Sequence, residues 1–459
     1  MAGPTVGGMT EQGVRWTAEQ VLALAPDAAS RKAGGKLGTA GPWSEAGSGE
    51  GTVWGLCKGS GSRPYQTVVD LADAAGPAYK CSCPSRKFPC KHALGLLLLW
   101  SGDDGSVTAS AEPPDWADQW LAGRRRRAEG KQDRIEGSSA SGSADPEAAR
   151  RRAERRAERV TAGATELEQR LADLLRGGLA AAEQAGYGLW DETAARMVDA
   201  QAPGLAARVR ELGAIPASGA GWPARLLEEC ALLHLLDQGW LGRDRLPDAL
   251  AATVRARLGL PATAEGAPVR DRWLVLAQYD TVDPKLTTRR IWLHGAASGR
   301  TRLLLSYGAA GRAPELSLPV GLALDAELTA YPGAGQPRSA LGERHAPPAP
   351  AAFRPPGTTT AEAAARYGEA LRDDPWLESV PVTLARVVPV PDGDLWQLAD
   401  ADADSALPLT RSARSRPGLW RLVALSGGGP VTVFGECGHR GFTPLTAWQE
   451  GTGEAVPLC

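Results

Sequence analysis

The stretch Cys81-Ser82-Cys83-Pro84-Ser85-Arg86-Lys87-Phe88-Pro89-Cys90-Lys91-His92 puts four metal-binding side chains within twelve residues, in the spacing C-x-C-x6-C-x-H. Three thiolates and one imidazole make a closed tetrahedral donor set for Zn2+, with no position left for a bound water. Such a set holds structure and does not catalyse. One structural zinc on Cys81, Cys83, Cys90 and His92 is therefore the first expectation. Cys81 and Cys83 alternate on an extended segment and project to one face, and Pro84 ends ladder pairing beyond them. Cys90 and His92 open the apolar run Ala93–Trp100, which reads as a buried helix. Pro89 suits the first turn of that helix, whose N-terminus favours the Cys90 thiolate. A Cys81–Cys83 disulfide would close a strained ring.

Working outward, the C-x-C, gap, C-x-H pattern resembles the SWIM-type zinc finger over about residues 45–102, and Val53–Leu56 and Tyr65–Leu71 look like the strands that precede the ligands in that family. C-x-C and C-x-H seldom occur together in this order and proximity. The resemblance implies a zinc-held recognition module of a family associated with binding DNA or proteins. It implies a protein partner, with an AAA+ ATPase system as its class, and leaves DNA as the other candidate.

Four cations surround the ligands, Lys80, Arg86, Lys87 and Lys91, and no acid lies between Gly76 and Gly102. They could meet phosphates or a partner. They also offset the net −1 of three thiolates around Zn2+. Only Tyr79 and Phe88 are aromatic nearby, too few for a base-stacking platform.

The chain has 459 residues, 43% hydrophobic, with net charge −2. That length suits two or three domains, and the charge excludes a protein that binds nucleic acid as a bulk polycation. Fifteen Trp against four Phe supply large core anchors. The N-terminus lacks the basic flank and apolar core of a signal peptide, and Ala93–Trp100 is too short to span a bilayer. A reducing, cytoplasmic location without membrane contact is expected, which favours metal over disulfide.

The expected fold class is α+β: a small ββα-like zinc unit, a helical middle, and an α+β or mostly β C-terminal region. Residues 1–122 form the N-terminal domain. It opens with a helix over 14–32, capped by Thr17 and Gln20 as a capping box, then a Gly-rich loop over 38–51. Trp116, Trp120 and Leu121 share one face of a short helix after Pro113 and Pro114, suited to docking on the zinc unit. Residues 123–146 read as a basic, Ser/Gly-rich linker. Residues 147–258 read as helical, from Pro146 at a helix start through an apolar stripe at Leu167, Leu171, Leu174, Leu175 and Leu179. Helices over 190–213 and 223–239 follow. Residues 265–459 change period, with strands at 273–279, 290–294, 302–307, 316–318, 382–390, 419–425 and 430–435, a loop over 332–357 and a helix over 360–372.

Residues 115–160 hold twelve Lys or Arg against nine Asp or Glu. The Arg-rich helix 150–159 therefore reads either as a nucleic-acid arm or as a solvated face laced by i,i+4 pairs, the second being favoured. Cys437-Gly438-His439 repeats the C-x-H spacing without a second C-x-C. Cys57 and Cys230 read as small core residues, and His234 as a satisfied core or boundary histidine. Ser426–Pro430 reads as a turn between strands, and Asp400–Asp404 lacks the Gly and Glu of a calcium loop. No phosphate-binding loop, nucleophile elbow or zinc-protease helix occurs. A non-enzymatic adaptor or regulator is the expectation. The alternatives are a DNA-binding protein using the basic patch, and an enzyme with its active site in residues 265–459, targeted by the finger.

Overall fold

Among the described residues, three sheets and a helical bundle carry the chain, and the Cys81–His92 stretch runs from the last residue of a strand of the first sheet into the helix that covers it. The structure is a computed structural model that describes residues 15–459 except 60, 62, 72–76, 86, 88, 103, 110, 125, 127–145, 284–285, 310–313, 315, 334–336, 352 and 452. Most of the expected linker, and with it Arg86 and Phe88, lies outside the described residues.

The helix expected over 14–32 is two: α1 (Ala18–Leu22) and α2 (Ala28–Gly35). Pro26 breaks the run because its ring cannot continue a helix, and Asp27 then caps α2 by accepting from the Ser30 N–H at 2.7 Å. The Thr17–Gln20 capping box is present. The Gly-rich loop around Trp43 is instead a strand, β1 (Trp43–Gly49), with a bulge at Glu45, φ 51°. It pairs with β2 (Thr52–Cys57), followed by β3 (Tyr65–Asp70), β4 (Ala78–Cys81), α3 (Lys91–Ser101) and β5 (Thr108–Ala109). The sheet order is β4-β3-β2-β1-β5, so the ββα-like unit is filled out to five strands. Helix α3 buries Ala93, Leu94, Leu96, Leu97 and Leu99 against it. Each buried leucine contributes about 2 kcal/mol. Gly95 permits this seat, because a Cβ there would lie 2.5 Å from the Leu37 Cβ. Residues 115–124 form α4, whose Ala117 and Leu121 pack with Trp54 and Val68, and Trp116 and Trp120 close over them. Trp120 and Leu121 thus dock where their shared face predicts.

The middle region is α5 (Pro146–Gly177), α6 (Ala180–Asp199), α7 (Pro203–Ala214), α8 (Trp222–Leu241) and α9 (Asp248–Arg257). The single helix expected over 190–213 is divided between α6 and α7, where Pro203 starts the second helix. Leu167 and Leu171 are core residues, whereas Leu175 is 45% exposed. Asp237 occupies a core position of α8 with no exposure, and neither carboxylate oxygen meets a donor among the described residues. Burial, and then the Glu168 charge, push this carboxyl up to about 8 from 3.8. The folded chain thus keeps a proton that the unfolded chain releases. Stability from Asp237 is whole below about pH 4 and is lost as pH rises to about 8. Relative to Asp237→Asn, the bundle should lose about 1.4 kcal/mol per pH unit between about pH 6 and pH 8. Thermal unfolding across that window checks this, and a pH-independent difference would contradict it.

The C-terminal region holds two sheets. One contains β6 (Val269–Val282), β7 (Leu286–Gly295), β8 (Thr301–Ala309), β9 (Leu322–Ala330), β10 (Ser339–Arg344) and β11 (Ala349–Pro350), ordered β10-β9-β6-β7-β8 with β11 on β9. Residues 316–318 are not a strand; the Leu318 N–H goes to the Gln278 side chain at 2.6 Å instead of a ladder partner. The stretch expected as a 332–357 loop contains β10 and β11. After α10 (Thr360–Asp373), capped by Thr359 and Glu362, the other sheet runs β14-β13-β12-β15-β16-β17. Its strands are β12 (Ser379–Asp392), β13 (Leu395–Asp400), β14 (Ala406–Pro408), β15 (Val431–Gly438), β16 (Gly441–Gln449) and β17 (Val456–Pro457). Two helices, α11 (Arg411–Arg414) and α12 (Gly418–Ser426), precede β15. The strand expected over 419–425 is α12: Leu419 and Leu422 are buried and Trp420 is 63% exposed, which is helical spacing, not alternation. Accordingly Ser426–Pro430 joins a helix to a strand, with Gly427 and Gly428 at positive φ. Asp400 accepts from the Thr360 N–H and hydroxyl, so it anchors the start of α10.

The parts meet through specific contacts. Leu322 of β9 joins the zinc-unit core beside Trp16 and Val21. Leu276 and Trp292 pack with Phe434 and Trp448 between the two C-terminal sheets. Trp376 belongs to the bundle core although it lies between α10 and β12.

Candidate metal centre

Ladder pairing puts Cys81, the last residue of β4, opposite Thr67 of β3. Pairing continues one residue further, since the Ser82 N–H donates to Gln66 O at 3.0 Å and the Gln66 N–H to Ser82 Oγ at 3.0 Å. Cys83 follows in the bend before Pro84, not in the strand. Cys90 is the N-cap of α3, φ −74° and ψ 167°, so Pro89 stands one residue ahead of the cap and not in the first turn. His92 is the second helical residue. A strand end and a helix start thereby deliver two ligands each.

The ligand atoms of Cys81, Cys83, Cys90 and His92 all lie within 4.8 Å of one another. A tetrahedron with Zn–S bonds of about 2.3 Å has sulfur–sulfur edges of about 3.8 Å, so the four groups fit one zinc. His92 Nδ1 is 3.6 Å from Cys81 Sγ, so Nδ1 faces the centre. Cys90 and His92 are buried. Thr67 Oγ1 lies 3.3 Å from Cys81 Sγ, and the Tyr65 ring packs on His92 at 4.7 Å between centroids. These two β3 residues orient ligands from behind.

The thiols make the case for a cation. Hydrogen bonding from Cys90, then from His92 and Thr67, holds the Cys81 thiol well below the ordinary thiol range. That same interaction with Cys81, with burial, pushes Cys90 far up; burial raises Cys83. The bare pocket therefore accommodates one thiolate. A divalent cation lets all three ionise. Purified protein should carry about one zinc per chain, read by elemental analysis under reducing conditions; a clean zero would defeat the assignment.

The surrounding cations divide. Lys87 Nζ binds Asp27 Oδ2 at 2.6 Å, which clips the ligand loop to the cap of α2. Lys80 and Lys91 are exposed, and no ion pair engages them among the described residues. The acid that neutralises Lys87 comes from outside the Gly76–Gly102 window, so local sequence did not show it.

Other candidates fall to structural roles. Cys57 and Cys230 are buried, and burial raises both thiols to about 11. Cys437 is buried, while His439 stacks on Tyr367 and takes part in no metal-type cluster among the described residues. His234 is on the exposed side of α8, 2.7 Å from Glu168. Glu327, Glu343 and His345 gather on the edge of the β9–β10 pair, where His345 Nε2 is 3.3 Å from Glu327.

Comparison with known families agrees with this geometry. Residues 65–100 match the model of the SWIM zinc finger, and residues 155–258 match that of the SWIM-associated four-helix bundle domain. The chain thus carries a SWIM zinc finger and a SWIM-associated bundle, and Cys81, Cys83, Cys90 and His92 suit one structural zinc. No curated protein and no solved structure matches it. Among the described residues, no helix is long and apolar enough to cross a membrane.

Proposed function

We propose that this protein is a non-enzymatic adaptor or regulator whose zinc unit organises a recognition surface for a protein partner. The observation that carries this is the closed donor set: three cysteines and a histidine within 4.8 Å leave zinc no open position for a substrate or water. The long-range packing supports it, because Leu322 seats the zinc unit on the second sheet and so fixes its orientation. An AAA+ ATPase system is the partner class that the resemblance implies.

The enzyme alternative needs convergent polar groups in a cleft of the C-terminal sheets. One convergence there is Glu436, which accepts from the Tyr279 hydroxyl at 2.7 Å and the Trp292 indole at 2.9 Å. These groups satisfy one another between packed sheets, which favours a structural role. For DNA binding through the finger, Lys80 and Lys91 remain available but Lys87 is committed to Asp27. Quantitative co-purification from the native host, comparing the intact chain with Cys90→Ser, tests the adaptor reading. A partner retained by the intact chain and lost from the variant is expected. An identical set of partners would overturn it.

A further inference from the structure

Over residues 147–159, helix α5 segregates its charges, whereas Glu166 and Asp173 further along fall on the arginine side. At 100° per residue, Arg152, Arg155, Arg156 and Arg159 fall within about 100° of arc, and Glu147, Glu154 and Glu158 within about 40° on the other flank. Val160, Ala164 and Leu167 face the bundle core between the two flanks. Two of the three glutamates are paired within the helix: Arg150 Nε meets Glu154 at 2.8 Å and Arg151 Nη2 meets Glu147 at 2.5 Å. The i,i+4 lacing foreseen for the whole segment is therefore confined to one side.

On the other side, Arg152, Arg155 and Arg159 are exposed and Arg156 is half-buried. None of the four meets a carboxylate among the described residues. Two of them converge on a neutral acceptor instead. Arg156 Nε and Arg159 Nη2 donate to the same oxygen, Gln201 Oε1, at 3.1 and 3.0 Å. Gln201 holds φ 62°, a region that non-glycine residues seldom adopt and that costs on the order of 1 kcal/mol or more. Its turn is pressed onto α5 at Gly163, where a Cβ would lie 2.5 Å from the Ala200 Cβ. A strained residue thus fixes two guanidinium groups side by side without cancelling their charge.

We propose that the Arg152, Arg155, Arg156 and Arg159 flank of the bundle binds the sugar–phosphate backbone of a nucleic-acid duplex, with Gln201 as a positioning residue. This surface is separate from the zinc unit and adds a second kind of contact to the adaptor. Guanidinium forks match phosphate oxygens in two-point geometry. The stripe rises about 10 Å, the axial length of about three base pairs. None of the four is accompanied by an exposed aromatic on that flank, which disfavours stacking of single-stranded bases.

The test is fluorescence anisotropy of a mixed-sequence DNA duplex of about 20 base pairs, titrated with the full zinc-loaded chain across a salt series. Arg152→Ala/Arg155→Ala removes two exposed charges that make no described contact. It should weaken binding about tenfold at low salt and flatten the log–log salt slope by about 2. Arg152→Lys/Arg155→Lys should restore the slope. Gln201→Ala should weaken binding while leaving the slope unchanged, since every charge remains. An unaltered slope in the double alanine variant would overturn the proposal, as would absence of duplex binding at the lowest salt. Tighter binding of poly-glutamate or of a single strand than of the duplex would also overturn it. A thermal midpoint matching the parent confirms that the variants are folded.

Discussion

Cys90→Ser should release the zinc and unfold residues 43–101, leaving the helices of residues 155–258 in place. Cys90 is 1% exposed and is both a ligand and the N-cap from which α3 starts. Serine offers a cap oxygen where the cysteine side chain makes no cap hydrogen bond, but it is a poor zinc donor. Structural zinc contributes about 10–16 kcal/mol of binding free energy that is coupled to folding, far more than a cap at about 1 kcal/mol. The loss therefore cannot be offset locally. Without the metal, Cys81, Cys83 and Cys90 become a cluster that can hold one thiolate, and α3 loses the anchor that sets its leucines on the sheet. The effect should spread one step further, because Leu322 shares that core and would face water. Elemental analysis should find less than one zinc per chain, and limited proteolysis should cut within 43–101 while α5 to α9 stay protected. Full zinc content with unchanged protection would refute the coupling.

The four zinc ligands were legible because their chemistry is local: two pairs separated by one residue, a strand signal before one and an apolar helix after the other. Their supports were not. Thr67 and Tyr65 reach the site only through strand register, and Asp27 reaches Lys87 across sixty residues of chain. The helix expected over 360–372 is α10, and the structure adds its capping box. The apolar run Leu419–Leu425 had no clear period, and the exposure of Trp420 decided for helix only in the folded chain. Trp43 misled because glycines on either side suggested a loop. Asp237 continues the buried spacing of Cys230 and Leu233, so the helical period itself places it in the core. The even mixture of charges over 115–160 hid the segregation on α5, which a helical projection exposes and a net count conceals.

Contacts between the parts were illegible for a different reason: they join residues far apart in sequence, and no periodicity records them. Gln20 Nε2 reaches Val320 O at 3.4 Å. Glu436 is bound from β6 and β7. The Asp374-Pro375-Trp376 corner enters a bundle that ended more than a hundred residues earlier. The helix expected over 360–372 stops short of this corner, which is the point where the SWIM-associated bundle is fastened to the third sheet.

Trp376→Ala should therefore uncouple the bundle from the C-terminal sheets. Trp376 is 4% exposed and lies in the bundle core. Its indole N–H donates to Leu232 O at 2.8 Å, and its ring passes beside Gly239, where a Cβ would sit 3.7 Å from Cη2. Asp374 steadies the corner: it accepts from the Trp376 N–H at 3.2 Å and from Arg257, the last residue of α9, at 2.5 Å. Truncating a buried tryptophan costs about 3–5 kcal/mol, and the orphaned Leu232 carbonyl adds about 1 kcal/mol. Trp376→Phe keeps most of the packing and should cost about half as much. Asp374→Asn removes the charge opposite a half-buried Arg257 and should approach the alanine variant, at about 3 kcal/mol. Calorimetry should show one cooperative transition in the parent separate into two in Trp376→Ala, with the bundle melting first. A single transition at the parental midpoint would mean that the bundle is held elsewhere. If it separates as expected, the corner sets how rigidly the arginine flank of α5 is carried relative to the zinc unit, because both are fastened to the same pair of sheets, one through Trp376 and the other through Leu322.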